Sequence, residues 1–447
     1  MTGKRKRKLA MPDTLIIVAS VVLLVAILSW IIPSGTYDYQ EMNINGRIRN
    51  VAIDGTYHTI DKSEVTTTGF LGFFSVLYRG CVEAADVIFM ILCCCGTFGV
   101  VVKTGAFHAG IGTILKKLKG KEILLVPIIM MIFGLGGSVF GMASEFYGFY
   151  PLIVGLGVAL GYDAMFGFAI IAVGEFVGFM GATLNPYSVG IAQTISGVEL
   201  YSGTGYRAIC FVIFMAISII YVMVYGRKIK KNPGASVVFG EKNIHAFDRD
   251  ELNEYSFTLK DGLVLLDVLV VLVVLMLGLI KWGWDFPQLC GLFLLMSMIA
   301  AAICKWSPNK WCSEFIDSAK TAMWGCILTG IAKAITVVMQ DAQIMDTVIY
   351  GLSNVLKNAP HAVSAQVMLV VQTLINFFIP SATGQASATM PIMAQLADII
   401  GVSRQTAVLA FQFGDGLSNI FWPTADIVII CGLGGISLQK WYKRFTP

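Results

Sequence analysis

Long apolar runs separated by short polar or glycine-rich breaks occupy most of the chain, and several reach the ~20 residues a helix needs to cross a bilayer. Spans are predicted over 13–32, 81–102, 165–198, 207–225, 262–280, 287–304, 316–340 and 404–433. Two further apolar stretches, 122–160 and 364–400, are interrupted at their middles by small and polar residues. The first break runs from Gly134-Leu135-Gly136-Gly137-Ser138 to Ser144-Glu145, the second over Pro380-Ser381-Ala382-Thr383-Gly384-Gln385-Ala386-Ser387. Each stretch is read as a re-entrant hairpin, although full pairs of crossings would leave the sidedness of the chain unchanged. Span 165–198 is itself broken by Gly174, Gly178, Gly181 and Asn185-Pro186, and span 404–433 by Gly414, Gly416 and Trp422-Pro423. Such breaks survive in a membrane only where protein or a watery cavity satisfies the freed backbone groups.

The breaks are written twice. Glu145, Pro151, Gly161 and Glu175 stand 240 positions before Gln385, Pro391, Gly401 and Asp415. Span 81–102 and its counterpart 316–340 run in opposite directions under this layout, so the repeats are inverted. The predicted fold is an all-α polytopic membrane protein of inverted-topology repeats, with two re-entrant hairpins and two broken helices. Its parts are a basic N-terminus over 1–12, a first repeat over 13–225 with an external loop over 33–68, a linker over 226–261, and a second repeat over 262–447. Amphipathic pieces at Gly105 to Lys119 and Ala342 to Lys357 are read either as interfacial links between a moving and a fixed domain or as ordinary connectors. Span 207–225 has no partner after Arg444, from which a further apolar span is expected in the natural protein.

Composition agrees: 56% of the residues are hydrophobic and only 13% charged, about half the charge usual in soluble proteins. The net charge of +4 matters through its placement, in Lys4-Arg5-Lys6-Arg7-Lys8, Lys116-Lys117-Leu118-Lys119, Arg227-Lys228-Ile229-Lys230-Lys231 and Lys440 with Lys443-Arg444. These clusters mark a cytoplasmic side, with the N-terminus on it. An apolar span follows the first cluster at once, which argues against a nucleic-acid arm. Thr14 to Ile32 is too long for a secretory signal and ends in Trp30-Ile31-Ile32-Pro33 without a cleavage pattern, so it is read as a retained anchor. The ten cysteines lie in or beside apolar segments and suggest no disulfide framework. The four histidines lack ligand spacing, no metal or cofactor is expected, and the absence of a phosphate-binding loop leaves an ion gradient or exchange as the energy source.

Acids in apolar runs are costly and by default mark an ion or substrate path. Glu145 at a hairpin tip and Glu175 at a broken helix are predicted to come together and to share a proton or hold a cation. Gln385, Asp415 and Asn419 form the second site. Lys333 has three readings: counter-ion to one of these acids, holder of a substrate carboxylate, or a side chain snorkelling to the interface. Ser144, Thr183, Asn185, Ser188, Ser381, Thr383, Ser387, Ser418 and Thr424 are candidate donors and acceptors at the breaks. No nucleophile and base constellation points to an enzyme, and duplicated broken helices suit alternating access better than a passive channel.

Several of these motifs carry a family resemblance. Met11-Pro12-Asp13-Thr14, Pro33-Ser34-Gly35, Leu160-Gly161-Tyr162-Asp163, Asn185-Pro186, Gly384-Gln385-Ala386 with Thr389-Met390-Pro391, and Phe411-Gln412-Phe413-Gly414-Asp415-Gly416 together resemble the YfcC family of the ion transporter superfamily. That family groups with anaerobic C4-dicarboxylate carriers and with proteins named as arginine/ornithine antiporters. The resemblance implies a bacterial inner-membrane carrier with paired hairpins, an elevator motion and a basic amino acid as leading substrate, and members usually continue with a span after the position of Lys443. Some members carry a second acid where Ser144 stands here. The function expected is therefore secondary transport of a cationic or zwitterionic amino acid, coupled to a proton or sodium ion or run as exchange. A cation-coupled carboxylate or C4-dicarboxylate carrier is the alternative, and a homodimer is left open as its assembly.

Overall fold

The computed structural model describes residues 13–44, 47–118, 122–241, 243–245, 256–357 and 363–445. The basic run at Lys4, the Met11-Pro12 pair, Lys119 and His361 lie outside it. Asp13 opens α1 (Thr14–Ile31) by accepting the Leu15 N–H at 2.9 Å. Four short strands follow, β1 (Ser34–Thr36), β2 (Tyr39–Ile44), β3 (Arg47–Ala52) and β4 (His58–Ile60), then α2 (Phe70–Glu83), α3 (Ala85–Lys103), α4 (Ala106–Leu118), α5 (Leu125–Leu135), α6 (Phe149–Ala159), α7 (Ala164–Met180), α8 (Ile191–Ile195) and α9 (Thr204–Lys231). The second half runs through α10 (Leu259–Lys281), α11 (Phe286–Ile303), α12 (Pro308–Lys320), α13 (Met323–Asp341), α14 (Met345–Lys357), α15 (Ser364–Phe378), α16 (Ala382–Ile399), α17 (Arg404–Asn419), α18 (Asp426–Leu433) and α19 (Leu438–Phe445). Among the described residues six helices, α1, α3, α9, α10, α11 and α13, are long and apolar enough to cross a membrane.

The repeat is visible in the element starts: α2, α3, α4, α5 and α7 begin 238 to 240 positions before α12, α13, α14, α15 and α17. Contacts along α9 show that the repeats are inverted. Asp163, which caps α7 through the Phe166 N–H at 2.7 Å, is bonded by the Tyr225 hydroxyl at 2.6 Å, near the C-terminal end of α9. Gln405, in the first turn of α17, donates to the Ser202 carbonyl at 2.5 Å, just before the N-terminal end of α9. The two equivalent helices thus start at opposite ends of one long helix.

The helices sort into two bundles. A wall bundle comprises α1, α2, α3 and α10 to α13, in which α2 lies on α13 and α12 lies reciprocally on α3. Glycine sets these crossings: a Cβ added to Gly80 would lie 2.3 Å from the Gly330 oxygen, and one on Gly99 would lie 2.1 Å from Ser318 Cβ. Lipid tails are as apolar as leucine, so close backbone approach is what holds such helices together. A hairpin bundle comprises α5 to α9 and α15 to α19, with α7 against α5, α6, α9 and α17. The bundles meet where α18 lies on α13, at Gly325 and Gly432.

Two local features depart from the sequence reading. The spans predicted at 81–102 and 316–340 are each preceded by a separate helix, α2 and α12, interrupted at Ala84 and at Thr321-Ala322. The expected external loop 33–68 contains two antiparallel ribbons, Ser34 paired with Ile60 and Tyr39 with Ala52. Asp346 at the start of α14 ties them down, accepting from the Thr36 hydroxyl (3.1 Å), the Tyr37 N–H (3.0 Å) and the Tyr39 hydroxyl (2.8 Å).

Candidate functional site

The two broken helices end against each other. After Met180 the chain leaves the helix, and the Thr183 and Leu184 N–H groups both turn to the Ser138 carbonyl at 2.8 and 3.2 Å. Ser138 lies in a wide turn, Gly136–Phe140, that closes α5, and its hydroxyl is 3.1 Å from that of Thr183. Gly141 then takes φ of 70°, where a Cβ would stand 2.5 Å from Asn185 Oδ1, so glycine is required both for its conformation and for its lack of a side chain. Asn185 accepts from the Tyr187 and Ser188 N–H groups at 2.9 and 3.1 Å and donates to the Gly137 carbonyl at 3.2 Å. From the other repeat, Gln412 donates to the Met180 and Ala182 carbonyls at 2.7 and 2.9 Å, and Gly416 packs on the Met180 backbone. Freed backbone groups at the first break are thereby satisfied by side chains from both halves.

Four acids surround this junction. Glu175 is fully buried, receives the Tyr150 hydroxyl on Oε2 at 2.6 Å, and has no partner for Oε1 among the described residues. Asp415 is also fully buried, and its Oδ2 is likewise without a donor. The Asn376 amide, oriented by its hydrogen-bond network, directs its nitrogen to Asp415 Oδ1 at 3.3 Å and Gln385 Oε1 at 2.9 Å, and its oxygen to the Ser418 hydroxyl at 2.8 Å. The Asn376 oxygen also accepts from the Asn419 side-chain amide at 2.8 Å, so the predicted group Gln385, Asp415 and Asn419 is assembled around a residue the sequence reading had not picked out. Glu145 is close enough to Glu175 for their charges to interact, and it accepts the Ala143 N–H at 3.0 Å. The fourth acid, Asp426, opens α18, accepts from the Tyr147 hydroxyl at 3.4 Å, and lies within electrostatic reach of both Glu175 and Asp415.

A cavity of about 700 Å³ separates the hairpin bundle from the wall. The hairpin side supplies Ser144, Tyr147, Ser381, Gly384, Ser387, Thr424 and Asp426, and the wall supplies Glu83 and Lys333, while Tyr39, Ile48 and Asn50 of the ribbons form its rim. Of the candidate site residues, Ser144, Ser381, Ser387, Thr424 and Lys333 therefore face the cavity. Glu145, Glu175, Thr183, Asn185, Thr383, Gln385, Asp415 and Asn419 stand behind its lining, Thr383 with its hydroxyl on the Tyr187 carbonyl at 3.1 Å. Lys333 forms no ion pair among the described residues, with Glu145, Glu175 and Asp415 included. Sequence reading missed Asp426, Tyr147, Tyr150 and Asn376. Asp426 is an acid in an apolar run and met the criterion used for the others, but its counterpart 240 positions earlier is Pro186, so the repeat did not draw attention to it.

Comparison with known proteins places the chain. The profile of the C4-dicarboxylate anaerobic carrier family matches residues 11–447. The chain belongs to that family. It is accordingly a multi-pass membrane transporter. A relative in Escherichia coli (strain K12), bearing the name "Putative basic amino acid antiporter YfcC", is 33% identical over 99% of this chain and 94% of its own length. A protein of Haemophilus influenzae is 27% identical over 100% of this carrier and 95% of its own length. Among solved structures, the Alcanivorax borkumensis YdaH transporter covers 98% of the carrier and 95% of its own chain at 13% identity and a TM-score of 0.42. Neisseria gonorrhoeae MtrF covers 98% and 92% at 16% identity and a TM-score of 0.44.

Proposed function

We propose that this carrier moves a cationic or zwitterionic amino acid across the bacterial cytoplasmic membrane, by exchange or ion-coupled uptake, with its N-terminus cytoplasmic. The observation that carries the reading is Asp426 facing the cavity beside the N-terminal end of α16. A substrate's ammonium or guanidinium would meet the carboxylate. Its own carboxylate would meet the N-terminal end of α16, which Ser381 and Gly384 present to the cavity and where a helix end favours an anion. At about 700 Å³ the cavity falls within the ~300–1,000 Å³ of small-molecule sites. Glu175 and Asp415, sealed behind it with one oxygen each unbonded, suit a proton or sodium ion as the coupling species, since a bare buried carboxylate is too costly to keep. The name of the Escherichia coli relative agrees with a basic substrate.

The movement we propose is an elevator, in which the hairpin bundle slides along the wall with both hairpin tips inside the membrane. Short arms support it: the helices of the first hairpin, α5 and α6, have 11 residues each, about 16 Å against a hydrocarbon core of about 30 Å. A second reading, cation-coupled transport of a C4-dicarboxylate, is favoured by the family's description and by Lys333, whose ammonium faces the same cavity. Counterflow in proteoliposomes separates the two. Vesicles preloaded with arginine, ornithine, a neutral amino acid or a C4-dicarboxylate are given labelled substrate, and the basic preloads are expected to drive uptake. Strong uptake with the dicarboxylate alone would replace the first reading by the second.

A further inference from the structure

Lys333 is left unused by the proposed substrate contacts, and its place in the fold is specific. It projects from α13 of the wall bundle, half-buried, into the cavity that separates wall from hairpins. Two carboxylates share that cavity with it, Glu83 on its own bundle and Asp426 on the opposite one. Neither is within ion-pair distance of the ammonium. A lysine so placed is not carried by the hairpin bundle, whereas Asp426 is.

We propose that Lys333 is a latch that holds the empty carrier still and so makes transport an obligatory exchange. The proposal rests on the reading that Asp426 takes the cationic head of the substrate. With the cavity empty, opposite charges face each other from two bundles that slide relative to each other. Moving the hairpins would carry the Asp426 carboxylate away from the ammonium and into protein without compensation, which low-dielectric surroundings make costly. A bound ammonium or guanidinium neutralises Asp426 and repels Lys333, so the loaded bundle is released. Glu83 remains on the wall and gives the lysine a counter-charge once the bundle has left. Only loaded bundles then cross in either direction. Net leakage is blocked.

The test uses the full-length chain in proteoliposomes loaded with labelled arginine and diluted into medium with or without unlabelled arginine. The parent is expected to release label only when external arginine is present. In Lys333→Met, exchange is expected to persist, and efflux into arginine-free medium to rise at least about tenfold, equivalent to about 1.4 kcal/mol off the barrier of the empty carrier. Lys333→Arg, which keeps the charge, is expected to stay latched, and Lys333→Gln serves if the methionine variant does not fold. Three results would overturn the latch: a parent that already leaks at its exchange rate, a folded Lys333→Met that exchanges without leaking, or one that loses exchange, which would make Lys333 a substrate contact. If arginine supports no counterflow in the parent, it is the substrate reading that has failed. The same pair of dilutions, run with another amino acid that does support counterflow, then decides the latch, and a C4-dicarboxylate as the sole counterflow substrate overturns it, since that substrate has no cationic head to neutralise Asp426.

Discussion

Glu175 and Asp415 each present one carboxylate oxygen that no donor among the described residues reaches, in surroundings with no exposure to solvent. An ionised carboxylate left so would cost several kcal/mol, which a proton or a bound cation removes. Glu175→Gln and Asp415→Asn keep the shape of each site, so both proteins are expected to fold and to exchange substrate while losing the dependence of the exchange rate on pH or sodium. An unchanged pH and sodium dependence of exchange in both variants over about pH 5.5–8.5, a range wide enough to expose a perturbed carboxylate, would make the acids structural. Glycine positions make a sharper demand of a different kind. A Cβ at Gly178 would lie 2.2 Å from the Gly134 carbonyl oxygen, so backbone would have to shift. Gly178→Ala is expected to cost about 1–3 kcal/mol, the usual penalty of overpacking, read as a lower melting temperature in detergent.

Among the elements, the ribbons at the cavity rim are held partly by one side chain, beside the Ser34 hydroxyl on the Ala342 carbonyl and Tyr57 stacked on Tyr350. Asp346 is 7% exposed and accepts three bonds from residues of β1, β2 and the turn between them. Asp346→Ala strands the buried Tyr37 N–H, a loss of about 1–3 kcal/mol. Faster amide exchange and protease cutting within 34–60 are expected, with the wall helices unaffected. On the other face, the linker docks through Asn243, whose amide donates to the Gly434 carbonyl at 3.0 Å, and His245 follows it into the protein. Burial pushes the His245 imidazole down to about 4, the nearby Leu433 backbone only partly opposing it. A histidine held neutral stabilises the docked state above its ordinary pKa near 6.5 and loses that contribution as pH falls towards 4. Linker amides at 243–245 are therefore expected to exchange faster at pH 4.5 than at pH 7, as measured after correction for intrinsic exchange, and equal protection would remove His245 from the docking energetics.

For the whole molecule, the sliding of one bundle on the other is tested where glycines of the two bundles meet. A Cβ on Gly432 would stand 3.4 Å from Gly325 Cα, near enough for a disulfide to span the bundles. In a background with the native cysteines replaced, Gly325→Cys with Gly432→Cys is expected to transport when reduced and to stop when oxidised. Full exchange by a completely cross-linked protein would rule out relative motion at α13 and α18. The same juncture explains why the cavity has unlike walls. Asp426 comes from the hairpin bundle, and Lys333 with Glu83 from the wall.

What the chain determines locally was legible in it. Whether a segment suits hydrocarbon depends on its own composition and length, so the apolar runs, the breaks at Asn185-Pro186 and Trp422-Pro423, and the 240-residue repeat could be read one segment at a time. Gln385, Asp415 and Asn419 could be grouped because the repeat brings equivalent breaks together. Asn376, 39 residues from Asp415, could not, because only the crossing of α15 with α17 gives it that role. The ribbons escaped notice because they are anchored by residues some 300 positions away, Ala342, Asp346, Thr347 and Tyr350, which no strand pattern records. Tertiary structure alone decided that Asp426 faces the cavity while Glu175 and Asp415 are sealed behind it, and that Lys333 belongs to the opposite wall. Apolar residues surround all four, so composition does not separate them. Their exposure follows from how closely glycines such as Gly178, Gly416 and Gly432 let distant helices approach, and that is a property of pairs of segments that no single segment records.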